Sequence, residues 1–293
     1  MLDLSSPKQV SDLLRENGLR AQKRLGQNFL CDRNILNRIA GTANLTPADS
    51  VVEIGGGLGA LTLTLASFCK SVTCIEIDHG MEPLLRQHIA GCSNVNLILA
   101  DFLRMDHDKL FSEAFSGGTG YIVANIPYYI SSPILEILLR HKRHLRKIVM
   151  LVQQEFANRL VAAPGSDDCG SLSLFAQYHA NIEIAFSVPR TVFLPPPDVG
   201  SAVIMIEPKI PGTIPVENEE RMLALIRAGF GQRRKTIVNA LMRSPASYGL
   251  KFGMEDRPLI EGLLQEAGID PQRRGETLSL HEYARLADAS VLD

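Results

Sequence analysis

The sequence predicts an α/β protein: a Rossmann-like, mostly parallel sheet with helices on both faces, followed by a small all-α domain. Three observations carry this. Short apolar runs rich in β-branched residues alternate with helix-period stretches from about residue 50 to residue 207. Residues 208–217 then hold three prolines and a glycine, the composition of a linker. Beyond them the periodicity is helical only. The expected domains are therefore 1–211 and 212–293.

The elements follow in order. Residues 5–22 form a short amphipathic pattern that runs into the polar, basic stretch Lys23-Arg24-Leu25-Gly26-Gln27-Asn28. Asp32 is a natural N-cap for a helix over 32–42. Strands are expected at 50–54, 72–77, 95–99, 121–124 and 147–153. Each is a short apolar run ending in polar or turn-forming residues. Helices are expected up to about residue 68 and at 81–90, 133–139 and 155–161. Two further strands fit 180–186 and 200–207. In the second domain, helices are expected at 219–230, 236–242, 258–267 and 280–287.

Bulk composition removes several classes. With 293 residues and 45% hydrophobic content the chain can bury a sizeable core, and 21% charged residues argue against wholesale disorder. Five cysteines without a CxxC pair fit neither a disulfide framework nor a structural zinc site, and the seven histidines show no metal-ligand spacing. The N-terminus lacks the signature of a signal peptide, and no apolar run is long enough to span a bilayer. A soluble, cytoplasmic protein with no membrane partner is expected. The net charge of −2 hides clusters of Lys and Arg.

Ligands of such sheets bind at the carboxyl ends of the strands. Three segments there form one candidate site. Glu53-Ile-Gly-Gly-Gly-Leu-Gly59 follows the first strong strand and opens a helix. Its glycines allow a sharp turn and a close approach to a ligand. Gly55-x-Gly57-x-Gly59 is not the dinucleotide spacing, which weakens NAD as the ligand. Glu76 lies 21 residues after Gly55, at the end of the second strand. A carboxylate there is placed to accept ribose hydroxyls. Asp101, after the third strand, can accept from an adenine amino group, with Phe102 as apolar cover.

The fourth strand ends in Asn125-Ile126-Pro127-Tyr128. An exocyclic adenine amine is a poor nucleophile because its lone pair is delocalised into the ring. The Asn125 side-chain oxygen and the Ile126 carbonyl can accept its two hydrogens and favour a pyramidal nitrogen. Pro127 fixes the backbone and donates no competing bond. Tyr128 can stack on the base. Such a site works mainly by orientation.

With these motifs the chain resembles the small-subunit ribosomal RNA adenine N6,N6-dimethyltransferases of the KsgA/RsmA type, over almost its whole length. Further matching segments are Arg24-Leu-Gly-Gln-Asn-Phe-Leu30, Glu76-Ile-Asp78, Gln154-Glu155, Phe193-Leu-Pro-Pro-Pro197, Ser201-Ala-Val203, Gln232-Arg-Arg-Lys-Thr236, Ile269-Asp-Pro271 and Arg274-Gly-Glu-Thr-Leu-Ser279. The resemblance implies a class I methyltransferase sheet and S-adenosylmethionine as cofactor. It implies dimethylation of two neighbouring adenines near the 3′ end of small-subunit (16S) RNA during ribosome assembly. It further implies that Asn28 and Leu30 close over the cofactor and that Gly55 and Gly57 approach its methionine part. Glu76 would hold the ribose and Asp101 the adenine, with Asn125 at the transfer point. Phe193 would hold the target base beside Tyr128. Of the basic clusters, the one at Arg233, Arg234 and Lys235 is the best supported RNA-binding surface, with Arg24 beside the site. The group at 140–147 reads more readily as a solvated face.

The chain departs from the family at three positions. Gly56 replaces a usual proline, which predicts a looser cofactor loop. Asp198 and Ser171 replace a usual Lys and Arg, which puts RNA contacts there in doubt. Two rivals stay open: a dimethyltransferase of large-subunit RNA, and a non-catalytic assembly factor. A monomer is expected.

Overall fold

The computed structural model describes residues 3–22, 25–210, 212–250 and 252–289. The first helix, α1 (Pro7–Glu16), is shorter than the amphipathic pattern. Ser6 caps it and Pro7 starts it, while Gly18 at φ +66° turns the chain away beyond its end. A two-residue strand, β1 (Phe29–Leu30), follows. Asp32 then caps α2 (Arg33–Ala43) as expected, its Oδ1 accepting from the Asn34 and Ile35 amides at 2.9 and 3.0 Å.

The alternating region gives β2 (Ser50–Ile54), α3 (Ala60–Ala66), β3 (Ser71–Glu76), α4 (Glu82–Ile89), β4 (Val95–Leu99), α5 (His107–Ala114), β5 (Gly120–Asn125), α6 (Ser131–Arg140), β6 (Leu145–Gln153) and α7 (Gln154–Val161). Next come α8 (Ser171–His179), β7 (Ala180–Val188), β8 (Phe193–Leu194) and β9 (Ser201–Pro208). The helical tail is α9 (Glu219–Gly231), α10 (Ile237–Met242), α11 (Arg257–Glu266) and α12 (Leu280–Ala289). Among the described residues no helix is long and apolar enough to cross a membrane.

Seven strands form one sheet in the order β4-β3-β2-β5-β6-β9-β7. The pairs β3·β4, β2·β3, β2·β5 and β5·β6 are parallel, and β6·β9 is antiparallel. The chain starts the parallel part at β2, moves outward through β3 and β4, and returns to β2's other side with β5. The switch point therefore lies between β2 and β5, where an open α/β sheet leaves a crevice. Residues of β2 and β3 sit on both buried faces: Val51, Val52, Ile54, Val72 and Ile75 are each at most 4% exposed. Each such side chain contributes about 1.5–3 kcal/mol by leaving water. The outermost strand β7 alternates buried or half-buried with exposed positions instead.

Two helices, α5 and α8, are absent from the sequence expectation. Only Leu110 and Phe111 of α5 are buried, too few to show a period. Asp106 caps it, accepting from the Lys109 amide at 3.0 Å.

The chain divides into two compact units: residues 1–157 with 181–208, and residues 158–180 with 209–293. The second is helical. It takes up α8, which packs on α9, besides the residues past the linker. Within it the Gln177 side chain donates to the Leu160 and Ala162 carbonyls at 2.9 Å each, and the Gly165 amide donates to the Glu276 carbonyl at 2.8 Å. The packing of α8 on α9 and the Gly165–Glu276 bond join 158–180 to the helical unit, whereas the sequence reading places it in 1–211.

Candidate active site

A cavity of about 300 Å³ opens at the switch point of the first unit. The glycine loop after β2, the end of β3, the turn after β4, the end of β5 and the segment before β1 all line it. Asn28, Leu30, Gly55, Gly57, Glu76, Asp101, Asn125, Pro127 and Tyr128 all face this one cavity. Residues separated by about a hundred positions in sequence converge because β2 and β5 are neighbours with Ile54 opposite Ala124.

The glycine loop is tied down at three points. The Gly55 and Gly56 amides donate to the Ile75 carbonyl at 2.8 and 3.3 Å. The Gly57 amide donates to Glu76 Oε2 at 2.7 Å. Gly55 has φ +86°, and a Cβ there would stand 3.1 Å from the Asn125 carbonyl oxygen. Glycine at this position lets the loop rest against the end of β5. The opposite oxygen of Glu76 accepts from the Asp78 amide at 2.7 Å. Glu76 is 5% exposed, and burial raises its carboxyl above the usual range, opposed by these amides. Its carboxylate thus braces the loop and borders the cavity.

Position 56 explains one departure from the family. A Cβ at Gly56 would lie 2.3 Å from the Cys74 sulfur and 3.3 Å from Leu85 Cδ2. There is no room for proline here, and the three amide bonds hold the loop without it, so the geometry does not favour the looser loop expected from the sequence. Gly56→Ala is expected to cost about 1–3 kcal/mol by overpacking, a fall in melting temperature of about 3–10 °C. Most of that loss should vanish in the Cys74→Ala background. Thermal denaturation of the four proteins checks this; purely additive losses would remove Cys74 as the cause.

Beneath the loop lies a residue that sequence reasoning left without a role. Glu53 is fully buried, with the Thr62 hydroxyl and the Cys74 thiol as the polar groups nearest its carboxyl. Burial pushes it up to about 7, partly offset by Thr62 and Cys74. It does not line the cavity.

Asp101 caps the 3-10 turn Phe102–Arg104, with Oδ1 accepting from the Leu103 amide at 3.0 Å and Oδ2 lying 3.4 Å from Arg104 Nε. Asn28 donates to the Gly26 carbonyl at 3.0 Å. The segment holding it is fastened at both ends. Strand β1 pairs antiparallel with β8, Leu30 opposite Phe193. At the other end Asp78, 5% exposed, accepts from the Gln22 and Gln27 side chains at 2.9 and 2.7 Å. Asp78 was visible in the sequence only as part of a matching motif. Its partners lie 56 and 51 residues away, beyond any local pattern.

Asn125 is half-buried, and among the described residues its carboxamide has no hydrogen-bond partner. Pro127, at φ −57° and ψ 137°, leads into the turn Tyr128–Ile130. The Tyr128 hydroxyl lies 2.6 Å from Ser201 Oγ, and Ser201 is 1% exposed at the start of β9. Phe193 is not brought to the cavity. It is 3% exposed and packs in the core cluster with Leu30, Leu36 and Val188.

In the helical unit Arg234 and Lys235 are exposed. Arg233 is committed inside the unit: Nε donates to Glu276 Oε2 at 2.6 Å and Nη2 to the Asp167 carbonyl at 2.9 Å. Arg24 lies outside the described residues. The basic group at 140–147 largely serves local pairs: Arg143 with Asp108, Arg146 with Asp49 and Lys147 with Glu207.

A model of the family "Ribosomal RNA adenine dimethylase" matches residues 18–285. Over its full length the chain is 44% identical to a "Ribosomal RNA small subunit methyltransferase A" of Pelotomaculum thermopropionicum, covering 99% of that protein. It is 42% identical to the protein of the same description from Bacillus mycoides, again over 100% of the chain and 99% of the relative. Among solved structures, a dimethyladenosine transferase from Plasmodium falciparum is similar with a TM-score of 0.72 and 24% identity, covering 87% of this chain and 94% of that one. The 23S rRNA methyltransferase ErmE is similar with a TM-score of 0.64 and 27% identity, covering 89% and 99%.

Proposed function

The chain belongs to the ribosomal RNA adenine dimethylase family and is an S-adenosylmethionine-dependent rRNA adenine dimethyltransferase, and from that premise we propose that it dimethylates N6 of two adjacent adenosines near the 3′ end of small-subunit (16S) RNA during assembly of the subunit. It does so in the cytoplasm and as a monomer. The observation that carries this reading is the convergence of the glycine loop, Glu76, Asp101 and Asn125 on one cavity at the switch point.

The donor set suits the cofactor. Glu76 and Asp101 offer carboxylate oxygens for ribose hydroxyls and an adenine amine. The backbone of Gly55 and Gly57 allows close approach of the methionine part, and Asn28 and Leu30 cover it. S-adenosylmethionine supplies there an electrophilic methyl group on a cationic sulfur. The chain's own residues orient the acceptor. The Asn125 carboxamide oxygen and the Ile126 carbonyl take the two N6 hydrogens, which turns the nitrogen lone pair out of conjugation. Tyr128 stacks on the base. Phe193 acts on the site through its β1 partner Leu30. Arg234 and Lys235 neutralise phosphates, and Arg233 orders the segment that presents them.

The Ser201 tether anchors the hydroxyl end of the Tyr128 side chain. Ser201→Ala and Tyr128→Phe are each expected to lower kcat/KM about three- to tenfold, the weight of one hydrogen bond. Both act mainly through KM for the RNA. The double variant should lose no more than either single one. Losses that add would mean the two hydroxyls act separately.

The function is tested with labelled S-adenosylmethionine and small subunits from a strain lacking these methyl groups, with large subunits in parallel. Label recovered as N6,N6-dimethyladenosine in small-subunit RNA is the expected result. Label only on large-subunit RNA would move the chain to the other branch of the family. Binding of small subunits without any label would leave an assembly factor.

A further inference from the structure

We propose that Tyr129 is a second base platform, a stacking subsite for the nucleobase next to the adenosine being methylated; this rests on the small-subunit reading above. Tyr129 follows Tyr128 directly, lines the same cavity, and is 61% exposed. Tyr128 is committed inward by its bond to Ser201. Tyr129 is instead presented outward at the cavity's rim, where an apolar ring of this size gains nothing from the core.

The Tyr129 ring lies close to the N-terminal segment. Gly26, at φ +59°, sits against it: a Cβ on Gly26 would be 3.4 and 3.5 Å from Tyr129 Cδ1 and Cε1, and 3.1 Å from Pro127 Cβ. A side chain at position 26 would press on this edge of the ring and on Pro127, and glycine leaves it clear. An aromatic side chain has only two rotatable bonds, so ordering it on binding costs little conformational entropy.

The substrate supplies the occupant. Drawing one adenine out of its stack into the cavity strips its neighbour of stacking on one side. A neighbour joined by a single phosphodiester has to sit within a nucleotide's reach of the cavity, and Tyr129 is one residue from the ring that would hold the target. Stacking on an aromatic face is tolerant of base identity, and a purine presents it with two fused rings where a pyrimidine presents one. With two adjacent adenosines as targets, the same ring serves whichever of the pair is waiting while the other reacts.

The test uses the full-length enzyme and undermethylated small subunits. Tyr129→Ala is expected to lower kcat/KM about five- to 150-fold, the range for loss of one base–aromatic stack, mostly through KM. Tyr129→Phe should behave as wild type, and Tyr129→Leu should fall near the alanine variant. Affinity for S-adenosylmethionine alone, measured by calorimetry, should not change. On subunits with uridine replacing the neighbouring adenosine, the gap between wild type and Tyr129→Ala should narrow. Equal activity of wild type and Tyr129→Ala on normal subunits sinks the subsite and leaves the substrate reading intact. A loss matched by weaker cofactor binding also sinks it, by giving the ring to the cofactor. Failure of wild type to label small subunits sinks the substrate reading and the subsite with it.

Discussion

Asn125→Ala is expected to lower the rate of methyl transfer on the order of 10³-fold while S-adenosylmethionine binding changes by no more than a few-fold. The reason is the weak nucleophilicity of an exocyclic amine. Its lone pair reacts only when both hydrogens are drawn out of the ring plane, and two acceptors fixed in position do this without a strong base. Removing one preorganised polar partner of a reacting centre costs about 10²–10³ in kcat, and the lost orientation adds to it. The geometry gives the side chain no competing task, since its carboxamide has no partner among the described residues. Its backbone is held by β5 and by the close rest of Gly55 on its carbonyl. Asn125→Asp keeps an acceptor oxygen and should retain more activity than the alanine variant. Single-turnover labelling of small subunits measures the chemical step, and calorimetry measures the cofactor. An alanine variant with near-normal single-turnover rate would remove Asn125 from the chemistry. Parallel collapse of rate and cofactor affinity would make it a cofactor ligand only.

Much of this site is legible in the sequence because its parts follow strands. The strands 50–54 and 72–77 read clearly, since strands buried on both faces are continuous apolar runs. The glycine loop, Glu76, Asp101 and Asn125 each fall where such a run stops, and the cavity gathers them all. The interactions that brace the site are a different matter. The Tyr128–Ser201 contact joins residues 73 positions apart, and Gln27 reaches Asp78 over 51. No periodicity announces a pair like that. Burial produces the other surprises. Phe193 matches a family segment, yet its side chain faces the core. Glu53 opens the glycine-loop motif, yet it is a fully buried carboxyl that does not line the cavity. The helix α8 escaped notice because its apolar residues Leu174, Phe175 and Ala176 run consecutively instead of in a stripe.

In the helical unit the largest single loss of stability is expected from Gly275→Ala. Gly275 belongs to the Arg274–Ser279 segment, whose meaning in the sequence was only that it matched the family. A Cβ there would stand 2.5, 2.6 and 2.7 Å from the Cα, O and C of Gly229, in the last turn of α9. The obstacle is backbone, which cannot rotate away, so the helix and the 274–279 turn have to separate. Overpacking of this kind costs about 3 kcal/mol or more. Gly229 offers a sharp contrast. A Cβ at 229 would meet the Tyr283 hydroxyl at 2.0 Å, a side-chain atom, and Tyr283 donates that hydroxyl to the Gly275 carbonyl at 3.0 Å. Tyr283→Phe alone should lose about 1 kcal/mol, because the Gly275 carbonyl is left with the Leu278 amide as its remaining donor, at 3.1 Å. In that background Gly229→Ala should be partly relieved, whereas Gly275→Ala should not. The chain has no tryptophan, so helical circular dichroism is the signal to follow during denaturation. If Tyr283→Phe rescues both alanines equally, the backbone contact is not what limits position 275. The consequence reaches function, because Glu276 in the same turn holds Arg233 at 2.6 Å beside the exposed Arg234 and Lys235. Loosening Gly275 should therefore weaken binding of small subunits, and flatten its salt dependence, at temperatures where the fold still stands.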